Sequence, residues 1–364
     1  MTTCHPERWS TMTRRMPDPP GLDVAQLEAY LRREHPDVVG DGTLSARVIA
    51  GGRSNLTYRV DGGPRPLVVR RPPLGHVQTT AHDMAREHRV ISALQGSRVP
   101  VPPVVALVDD PSAGTGGVFY VMDLVEGTVL AHPSQNTVYT ADELRTVSLE
   151  LATLLAELHT IEPDRVGLAD LGRADGYLDR QLRRWRTQLD GSRSRPVPSL
   201  DHLQERLAER VPTTRRSSIV HGDYRLDNVL VGTSSGSSPR ITAILDWEMA
   251  TLGDSAVDLG MLGLYWHIRR IEGGGSVAPS AVDPAAGYPE FDELVDAYSA
   301  RLGSSVPELG WYRAFAAYKL AVILEGIHFR FLGGDTVGEG FDRIGALVAP
   351  LADEGLAQLA GVVR

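Results

Sequence analysis

Apolar residues change their spacing once along the chain, and this change limits the fold more than any other feature. In the first part they form short runs bounded by glycine-containing turns, at Leu44–Ile49, Leu56–Val60, Leu67–Val69, Val104–Leu107 and Val118–Leu124. Such runs predict a twisted antiparallel sheet. From Ala141 onward apolar residues recur at helical spacing, at Leu144, Val147, Leu151, Leu154, Leu155 and Leu158. One apolar face of this kind predicts amphipathic helices, so the fold class is α/β, β-rich first and mainly helical afterwards.

The first 21 residues differ in character from the rest of the chain. Residues 1–21 are polar and contain several prolines, and Met12 and Met16 offer alternative starts, so we expect a flexible N-terminal tail. We predict that residues 22–125 form a first lobe and that residues 126–364 form a second lobe.

Helices and loops are also indicated locally. Helical spacing predicts helices over Val24–Arg33 and Ala81–Leu94. Residues 191–198 and 272–288 are rich in Gly, Ser, Pro and Arg and have no periodicity, which is typical of surface loops.

Composition argues against several classes of protein. The 364 residues include 37 basic and 46 acidic side chains, and the formal charge of -9 disfavours a nucleic-acid-binding protein. The single cysteine, Cys4, cannot form an internal disulfide or a cysteine-based metal site. No apolar run approaches the roughly 20 residues that cross a bilayer, and the N-terminus lacks the apolar core of a signal peptide. We therefore expect a cytoplasmic protein with neither a nucleic-acid nor a membrane partner.

Three oxygen-bearing side chains stand at the ends of predicted strands in the second part. A polar loop with His221, Asp223 and Asn228 joins two short apolar runs, and a third run, Ile241–Leu245, leads to Asp246. Transfer of a γ-phosphoryl group needs a carboxylate that orients the attacking hydroxyl and oxygen ligands that hold magnesium against the phosphates. We assign the first role to Asp223 and magnesium binding to Asn228 and Asp246.

The spacing of these residues supports the assignment. Asp223 and Asn228 are five residues apart, as in the H-R-D-x-x-x-x-N catalytic loop of protein kinases. The competing interpretation is an aspartate-rich hairpin turn followed by an unrelated aspartate at a strand end. The loop motif and the strand motif occur together here, which favours the catalytic interpretation.

At these residues the chain resembles the aminoglycoside phosphotransferase and choline kinase-like family, whose signature is H-G-D-x-x-x-x-N, a strand and a second metal-binding aspartate. The segments His-Gly-Asp-Tyr-Arg-Leu-Asp-Asn, Leu-Asp-Trp-Glu and Gly-Asp-Ser-Ala-Val-Asp-Leu-Gly are most similar to the branch fused to acyl-CoA dehydrogenases in some eukaryotes. The resemblance runs from about residue 45 to about residue 335. It implies a two-lobed protein-kinase-like fold and an ATP- or GTP-dependent kinase, with Asp223 as the catalytic base and His221 shaping the loop. In such a fold the first lobe, residues 22–125, would grip the nucleotide's phosphates and end in a hinge, and the second, residues 126–364, would carry the catalytic loop and the acceptor site.

The resemblance also gives roles to residues that the pattern alone leaves ambiguous. Gly52, Ser54 and Asn55 lie in a glycine-containing hairpin that corresponds to the family's phosphate loop, although the pattern by itself indicates only a turn. Asp258 corresponds to a structural aspartate that braces the catalytic loop. By pattern alone, Asp254 could cap the next helix.

Glu87 requires a cationic partner on physical grounds alone. It lies on the apolar stripe of the helix predicted over Ala81–Leu94, where an unpaired charge is costly. Kinase folds supply a strand lysine at this point, which also grips the nucleotide's phosphates. The only lysine here is Lys319, far too late in the sequence, so Arg70 is the natural substitute and Arg71 its close competitor. This departure from the family pattern leaves a weakened or inactive kinase as an alternative.

Two further regions keep two interpretations each. Residues 119–127 are by pattern a buried strand, but the resemblance makes them an edge strand and hinge, where backbone groups of Asp123 and Val125 bind the adenine. Residues 179–186 form a helical run dense in arginine, typical of a solvated face and also compatible with a site for an anionic substrate.

Together these inferences predict a small-molecule kinase that uses Mg²⁺ and ATP or GTP. The acceptor is either an amino sugar or a hydroxyacyl thioester or other small metabolite, and a non-catalytic nucleotide-binding regulator is the alternative of another class. We expect residues 255–335 to line the acceptor pocket, with contributions from Trp266, Glu293, Asp296, Tyr298, Trp311 and Glu325.

Overall fold

A five-stranded sheet dominates the first part of the chain in the computed structural model, which describes residues 17–49, 55–74, 83–233, 238–277, 280–334 and 341–361. Its strands are β1 Ser45–Val48, β2 Leu56–Asp61, β3 Leu67–Arg71, β4 Val104–Val108 and β5 Phe119–Asp123. Their order is β1-β2-β3-β5-β4, and every neighbouring pair is antiparallel, as the short apolar runs predict.

Strand β5 lies inside this sheet and not at its edge. It is hydrogen-bonded to β3 on one side and to β4 on the other, so the prediction of an edge strand is wrong. The first four residues of β5 are all buried. A strand whose side chains are buried on both faces is suited to the interior of a sheet, whereas an exposed edge favours polar or charged residues.

Three helices accompany the sheet, α1 Val24–Glu34, α2 Pro36–Val39 and α3 Met84–Leu94. Leu27 and Leu31 of α1 belong to the same buried core as Tyr58 of β2 and Val69 of β3. Because residues four apart lie on one face of a helix, these leucines present a continuous apolar stripe to that core.

Helix α3 begins at Met84, because Asp83 caps it. The Asp83 carboxylate accepts a hydrogen bond from the Arg86 backbone N–H at 3.0 Å, which satisfies one of the unpaired N–H groups of the first turn. Ala81, where the sequence predicts the helix to begin, lies outside the described residues.

Helices are the main regular structure in the described part of the chain after residue 125. They are α4 Ala141–Thr160, α5 Tyr177–Ser192, α6 Pro198–Glu209, α7 Ala256–Trp266, α8 Gly274–Val277, α9 Phe291–Leu302, α10 Gly310–Leu332 and α11 Val348–Leu359. The short strands that the structure describes in this part are β6 Ser217–Val220, β7 Val229–Gly232, β8 Arg240–Ile244 and β9 Thr251–Asp254. Strand β6 pairs with β9 and β7 with β8, both antiparallel. The six apolar residues of the predicted α4 stripe are all buried.

Within the segment 272–288, the described residues 272–277 and 280–288 have more regular and buried structure than the surface loop that the composition predicts. It contains α8, and Ala281, Val282 and Tyr288 are buried. The Tyr288 hydroxyl donates to the Asn136 side chain at 2.9 Å, and the Asn136 amide donates to the Ala281 carbonyl at 2.8 Å. These long-range hydrogen bonds hold the segment in place and have no local periodicity that a sequence pattern could reveal.

The chain divides into two compact units. The first falls within Met1–His88 and Val104–Leu124, and the second within Arg89–Pro103 and Val125–Arg364. The sequence predicts one division, after residue 125, and so misses that Arg89–Pro103 belong to the second unit. Among the helices that the structure describes, none combines the length and the apolar character that crossing a bilayer requires.

Helices α7 and α10 approach each other closely at a glycine. A Cβ atom on Gly260 of α7 would lie 2.4 Å from the backbone oxygen of Tyr312 in α10. The Tyr312 hydroxyl also donates to the Asp254 carboxylate at 3.0 Å, just before α7 begins. Since α7 carries Asp258, which is predicted to brace the catalytic loop, this contact helps to set the position of that helix against α10.

We expect Gly260→Ala to lower the free energy of unfolding by about 1–3 kcal/mol, because the added methyl group has no room against a backbone oxygen. Urea denaturation followed by circular dichroism measures this change. The matched control is Gly191→Ala in α5, where nothing lies within 4 Å of the new Cβ, and we expect no loss there. Equal stability of the two variants would contradict the close packing of α7 and α10.

Candidate active site

Two strand pairs of the second unit position a polar loop. Strand β6 ends at Val220, the loop comes next, and β7 begins directly after Asn228. Asp246 lies two residues beyond the end of β8, which pairs with β7. The Leu245 N–H donates to the Asn228 backbone oxygen at 2.8 Å, so the residue before Asp246 is bound to Asn228 itself. The structure thereby brings together the two residues that the sequence assigns to magnesium.

Asp258 of α7 holds the start of this loop. Its carboxylate is buried and accepts hydrogen bonds from the His221 N–H at 2.7 Å and the Gly222 N–H at 2.8 Å. His159 of α4 contacts the same carboxylate at 3.2 Å through Nε2. Burial acts to raise the pKa of Asp258, but the hydrogen bond from His159, the nearby histidines and the His221 N–H outweigh it and hold this pKa below its ordinary value. Asp258 therefore braces the loop, as the resemblance implies.

Asp254 contacts the start of α7 from the residue before the N-cap, which is Ser255. Its carboxylate accepts a hydrogen bond from the Ala256 N–H at 3.0 Å and so satisfies one N–H of the first turn. The two roles are therefore not alternatives, because Asp254 contacts the helix start while Asp258 braces the loop.

His221 is locked in a tautomer that makes it a structural residue. Its Nδ1 accepts from the Asp223 N–H at 3.2 Å, so the ring proton lies on Nε2, which donates to the Leu245 carbonyl at 2.9 Å. The ring also packs against Trp247 at 4.7 Å between centroids. Both nitrogens are thus occupied in joining the loop to the segment that carries Asp246.

The Asp223 carboxylate is held by two neighbouring side chains. The Asn228 amide donates to the Asp223 backbone oxygen at 2.8 Å and to its Oδ2 at 3.0 Å. Arg225 lies with Nε 3.3 Å from the same oxygen. Because the nitrogen of the Asn228 amide is engaged by Asp223, its oxygen is the atom that could serve as a metal ligand.

Asp246 has an uncommon backbone conformation. Its φ of 66° is the one positive value at a non-glycine residue in the described ranges. Left-handed backbone costs energy for a residue with a Cβ, and such strain is found at functional sites where surrounding structure imposes it. A carboxylate and an amide oxygen are the hard donors that Mg²⁺ prefers, so Asp246 and Asn228 fit this ion.

Arg225, Asp227 and Tyr265 belong to the site but were missed from the sequence. Arg225 lies 3.0 Å from the Asp227 carboxylate through Nη1, and its guanidinium stacks 4.5 Å from the centre of the Tyr265 ring. Burial raises the pKa of Asp227 above its ordinary value, and the Arg225 charge opposes this shift. The signal available in sequence was their place inside the His-Gly-Asp to Asn loop, but only folding brings Tyr265 to them.

A small pocket opens beside this group. Its walls include Asp227 and Tyr265 together with the apolar side chains of Leu130, Leu262, Trp266 and Val282. Of the acceptor-site residues predicted within 255–335, Trp266 lines this pocket.

Three other residues of that predicted set have structural contacts. Tyr298 contacts the His159 ring at 2.8 Å, Trp311 donates to the Leu207 carbonyl at 3.0 Å, and Glu325 accepts from the Ser194 N–H at 3.1 Å. Glu293 is paired with Arg145, and Asp296 is exposed on α9. An acid or an aromatic residue in the right segment therefore did not by itself identify the pocket.

The ion pair predicted between Arg70 and Glu87 is present in the first unit. Arg70 Nε lies 3.1 Å from Glu87 Oε2, and the Glu87 side chain is only 1% exposed. Arg71, the competing candidate, donates instead to the backbone oxygens of Gly21 and Thr115. Successive residues of β3 point to opposite faces of the sheet, which explains why only one of the two arginines reaches α3.

The structure describes only some of the other residues that are predicted to bind the nucleotide. Asn55 is buried at the start of β2, whereas Gly52 and Ser54 lie outside the described residues. The Asp123 side chain pairs with Arg65 at 2.6 Å, and Val125 is half-buried. The arginine-dense run 179–186 is helical, within α5.

Known proteins share both the sequence pattern and the fold of this chain. Residues 45–315 match the model of the phosphotransferase enzyme family. Acyl-CoA dehydrogenase family member 11 of Gallus gallus is 32% identical over 343 residues, which cover 92% of this chain and 43% of that protein. The chain thus spans less than half the length of the curated relatives it matches.

Solved structures show the same fold. A protein of Ralstonia eutropha, itself only provisionally assigned as an aminoglycoside phosphotransferase, is 31% identical with a TM-score of 0.78, covering 94% of this chain and 100% of its own. A thermostable mutant of aminoglycoside phosphotransferase APH(4)-Ia, in a ternary complex with AMP-PNP and hygromycin B, has a TM-score of 0.58 at 17% identity, covering 92% and 98%. The predicted protein-kinase-like fold, with a β-rich first part and a helical remainder, is confirmed.

We expect strong non-additivity between Arg70→Ala and Glu87→Gln in a double-mutant cycle. Arg70→Ala leaves a buried carboxylate without this cation and should cost about 3–5 kcal/mol of unfolding free energy, whereas the double variant should be more stable than that single variant. Urea denaturation of the four proteins measures the coupling. Arg71→Ala is the matched control, because Arg71 contacts backbone oxygens and not Glu87. Additive effects of Arg70→Ala and Glu87→Gln would show that the pair carries no coupling.

Proposed function

Because this chain belongs to the phosphotransferase enzyme family, we propose that it transfers the γ-phosphoryl group of ATP to a hydroxyl of a small-molecule acceptor. GTP is the alternative donor. The observation that carries the proposal is the braced loop, in which Asp258 holds the backbone of His221 and Gly222 and Asn228 holds Asp223. A loop of this rigidity suits a carboxylate that must be aligned with an acceptor hydroxyl.

Asp223 has the position and chemistry of the residue that orients the acceptor. Its carboxylate is half-buried and accepts hydrogen bonds, so it can accept the proton of an acceptor hydroxyl as that oxygen attacks phosphorus. The Arg225 guanidinium lies beside this carboxylate, with Nε 3.3 Å from Oδ2, and helps to hold its direction.

Asn228 and Asp246 are proposed to hold Mg²⁺ through their side-chain oxygens. When bound, the ion would neutralise charge on the phosphates of the nucleotide. The left-handed backbone of Asp246 supports this role, because strain of this kind is retained where a side chain must point in one direction. The His221 ring holds Leu245, next to Asp246, through its carbonyl.

Arg70 is proposed to contact the nucleotide's phosphates in place of the usual strand lysine. Glu87 fixes one edge of its guanidinium, and the planar group carries further N–H donors that can reach phosphate oxygens. Gly52, Ser54 and Asn55 are proposed to contact the phosphates as well, and backbone groups of Asp123 and Val125 the adenine. The AMP-PNP in the APH(4)-Ia complex supports ATP as the donor, since that protein shares the fold.

The acceptor is proposed to be an amino sugar, or a hydroxyacyl thioester or other small metabolite. The pocket beside Asp227 has room for about one water molecule, so its lining does not distinguish between these acceptors. A screen of amino sugars, hydroxyacyl thioesters and common hydroxylated metabolites, followed by transfer of ³²P from labelled ATP or GTP, tests the proposal.

The alternative to an enzyme is a non-catalytic nucleotide-binding regulator. Such a regulator would bind nucleotide without magnesium-dependent transfer to any acceptor in that screen. Detection of a phosphorylated product would exclude it.

We expect Asp223→Asn to lower kcat by about 10²–10⁴-fold and to leave nucleotide affinity nearly unchanged, because the carboxylate acts on the acceptor and not on the nucleotide. Steady-state kinetics with the acceptor from the screen, together with calorimetric titration of nucleotide, measure both quantities. The control is Asp296→Asn, an exposed aspartate on α9 of the same unit. A turnover of Asp223→Asn equal to that of the control would refute the assignment.

Asp246→Ala and Asn228→Ala should each weaken binding of the magnesium–nucleotide complex by about tenfold or more, because each removes a hard oxygen donor. Calorimetry in the presence of magnesium and in the presence of a chelator separates the metal-dependent part. In the presence of chelator, the nucleotide affinity of each variant should stay near that of the unsubstituted protein. If both variants keep full affinity with magnesium present, these side chains are not its ligands.

A further inference from the structure

The single lysine of the chain is buried beside the catalytic loop. Lys319 lies on α10, is 6% exposed, and its ammonium group lies 5.5 Å from the centre of the Trp185 ring of α5. The chain uses arginine at every other basic position, so a lysine at this one place indicates a geometric demand that a guanidinium does not meet.

The Lys319 ammonium donates a hydrogen bond to the backbone oxygen of Gly222. That oxygen belongs to the peptide bond between Gly222 and Asp223, so the contact fixes the peptide plane from which the Asp223 side chain departs. On the other side of the same residue, the Gly222 N–H donates to Asp258. Both polar groups of Gly222 are therefore held, one by an anion and the other by a cation.

Gly222 needs such restraint more than most residues do. Its φ is +83°, in the left-handed region, and a Cβ there would lie 2.8 Å from the Met249 backbone oxygen, so the position requires glycine. Glycine has more conformational freedom than any other residue, and the direction of Asp223 would vary if Gly222 were held at one end only.

A buried ammonium is costly to maintain, which argues against an incidental contact. Burial lowers the pKa of Lys319, while the charges of Asp223 and Asp258 oppose that shift. The Trp185 ring face adds a favourable contact for the cation. The ammonium is thus stabilised by groups of the site itself and not by solvent.

We propose that Lys319 is a positioning residue for the proposed phosphoryl transfer, which orients the Gly222–Asp223 peptide and through it the Asp223 carboxylate. This inference rests on the proposed function for its catalytic consequence, but its structural consequence can be measured without any substrate.

Hydrogen exchange provides the substrate-independent test. In Lys319→Met we expect the backbone amides of residues 221–223 to exchange at least about tenfold faster, measured by mass spectrometry of peptides from the folded protein. The matched control is Glu325→Gln, also buried on α10, which contacts the Ser194 N–H and hydroxyl. That variant should accelerate exchange near Ser194 and leave residues 221–223 unchanged. Unchanged exchange of the loop in Lys319→Met, or an equal rise in both variants, would overturn the proposal.

Kinetics separates positioning from substrate contact. With the acceptor from the screen, Lys319→Met should lower kcat by about 10–100-fold while the KM values for nucleotide and acceptor stay within about threefold. A raised acceptor KM with normal kcat would show that Lys319 contacts substrate, and a normal kcat with normal KM values would show that it positions nothing. If the unsubstituted protein phosphorylates no acceptor but the exchange pattern is as expected, the proposed function fails and the positioning contact stands.

A measurement on the unsubstituted protein covers the case in which Lys319→Met does not fold. Because Lys319 is the only lysine, ¹⁵N-lysine labelling gives one side-chain ammonium resonance in an NMR spectrum. A buried, hydrogen-bonded ammonium should exchange its protons with water at least about tenfold more slowly than free lysine. Exchange as fast as that of free lysine would overturn the proposal.

Discussion

The convergence of two consecutive backbone N–H groups on the buried Asp258 carboxylate is the interaction on which the candidate site depends. A loop that leaves a strand and turns sharply has N–H groups that no strand neighbour can satisfy, and burying them without partners is costly. The Asp258 carboxylate satisfies those of His221 and Gly222. It also contacts His159 of α4, so this one carboxylate connects α7, α4 and the loop. The directions of Asp223 and Asn228 follow from this arrangement.

Each unit contains a cation that contacts an oxygen acceptor, an arginine in the first unit and a lysine in the second. In the first unit a buried glutamate is paired with Arg70, whose planar group can contact a carboxylate and still offer donors elsewhere. In the second unit, the compact ammonium of Lys319 lies between Trp185 and Gly222 and contacts a single backbone oxygen, that of Gly222. The choice between arginine and lysine therefore follows the shape of the acceptor group in each place.

Three residues of the helical part that the sequence predicts in the acceptor pocket make structural contacts instead. Glu325 anchors the segment at Ser194, Trp311 donates to the end of α6, and Tyr298 contacts His159. This leaves a small pocket whose walls are largely apolar, beside the Arg225 and Asp227 pair.

The sequence alone determined those features that depend on local spacing. The strands around Leu56 and Leu67, the helix from Ala141 and the five-residue interval between Asp223 and Asn228 follow from periodicity or motif, and so could be predicted. The need of Glu87 for a cation also followed, because helical spacing shows which face is buried. The tertiary structure decided what depends on residues distant in the chain. It placed β5 inside the sheet, selected Arg70 over Arg71, and brought Lys319 to Gly222 across 97 positions. Contacts of this kind leave no periodic trace, because their energy comes from packing and desolvation that exist only once the chain has folded.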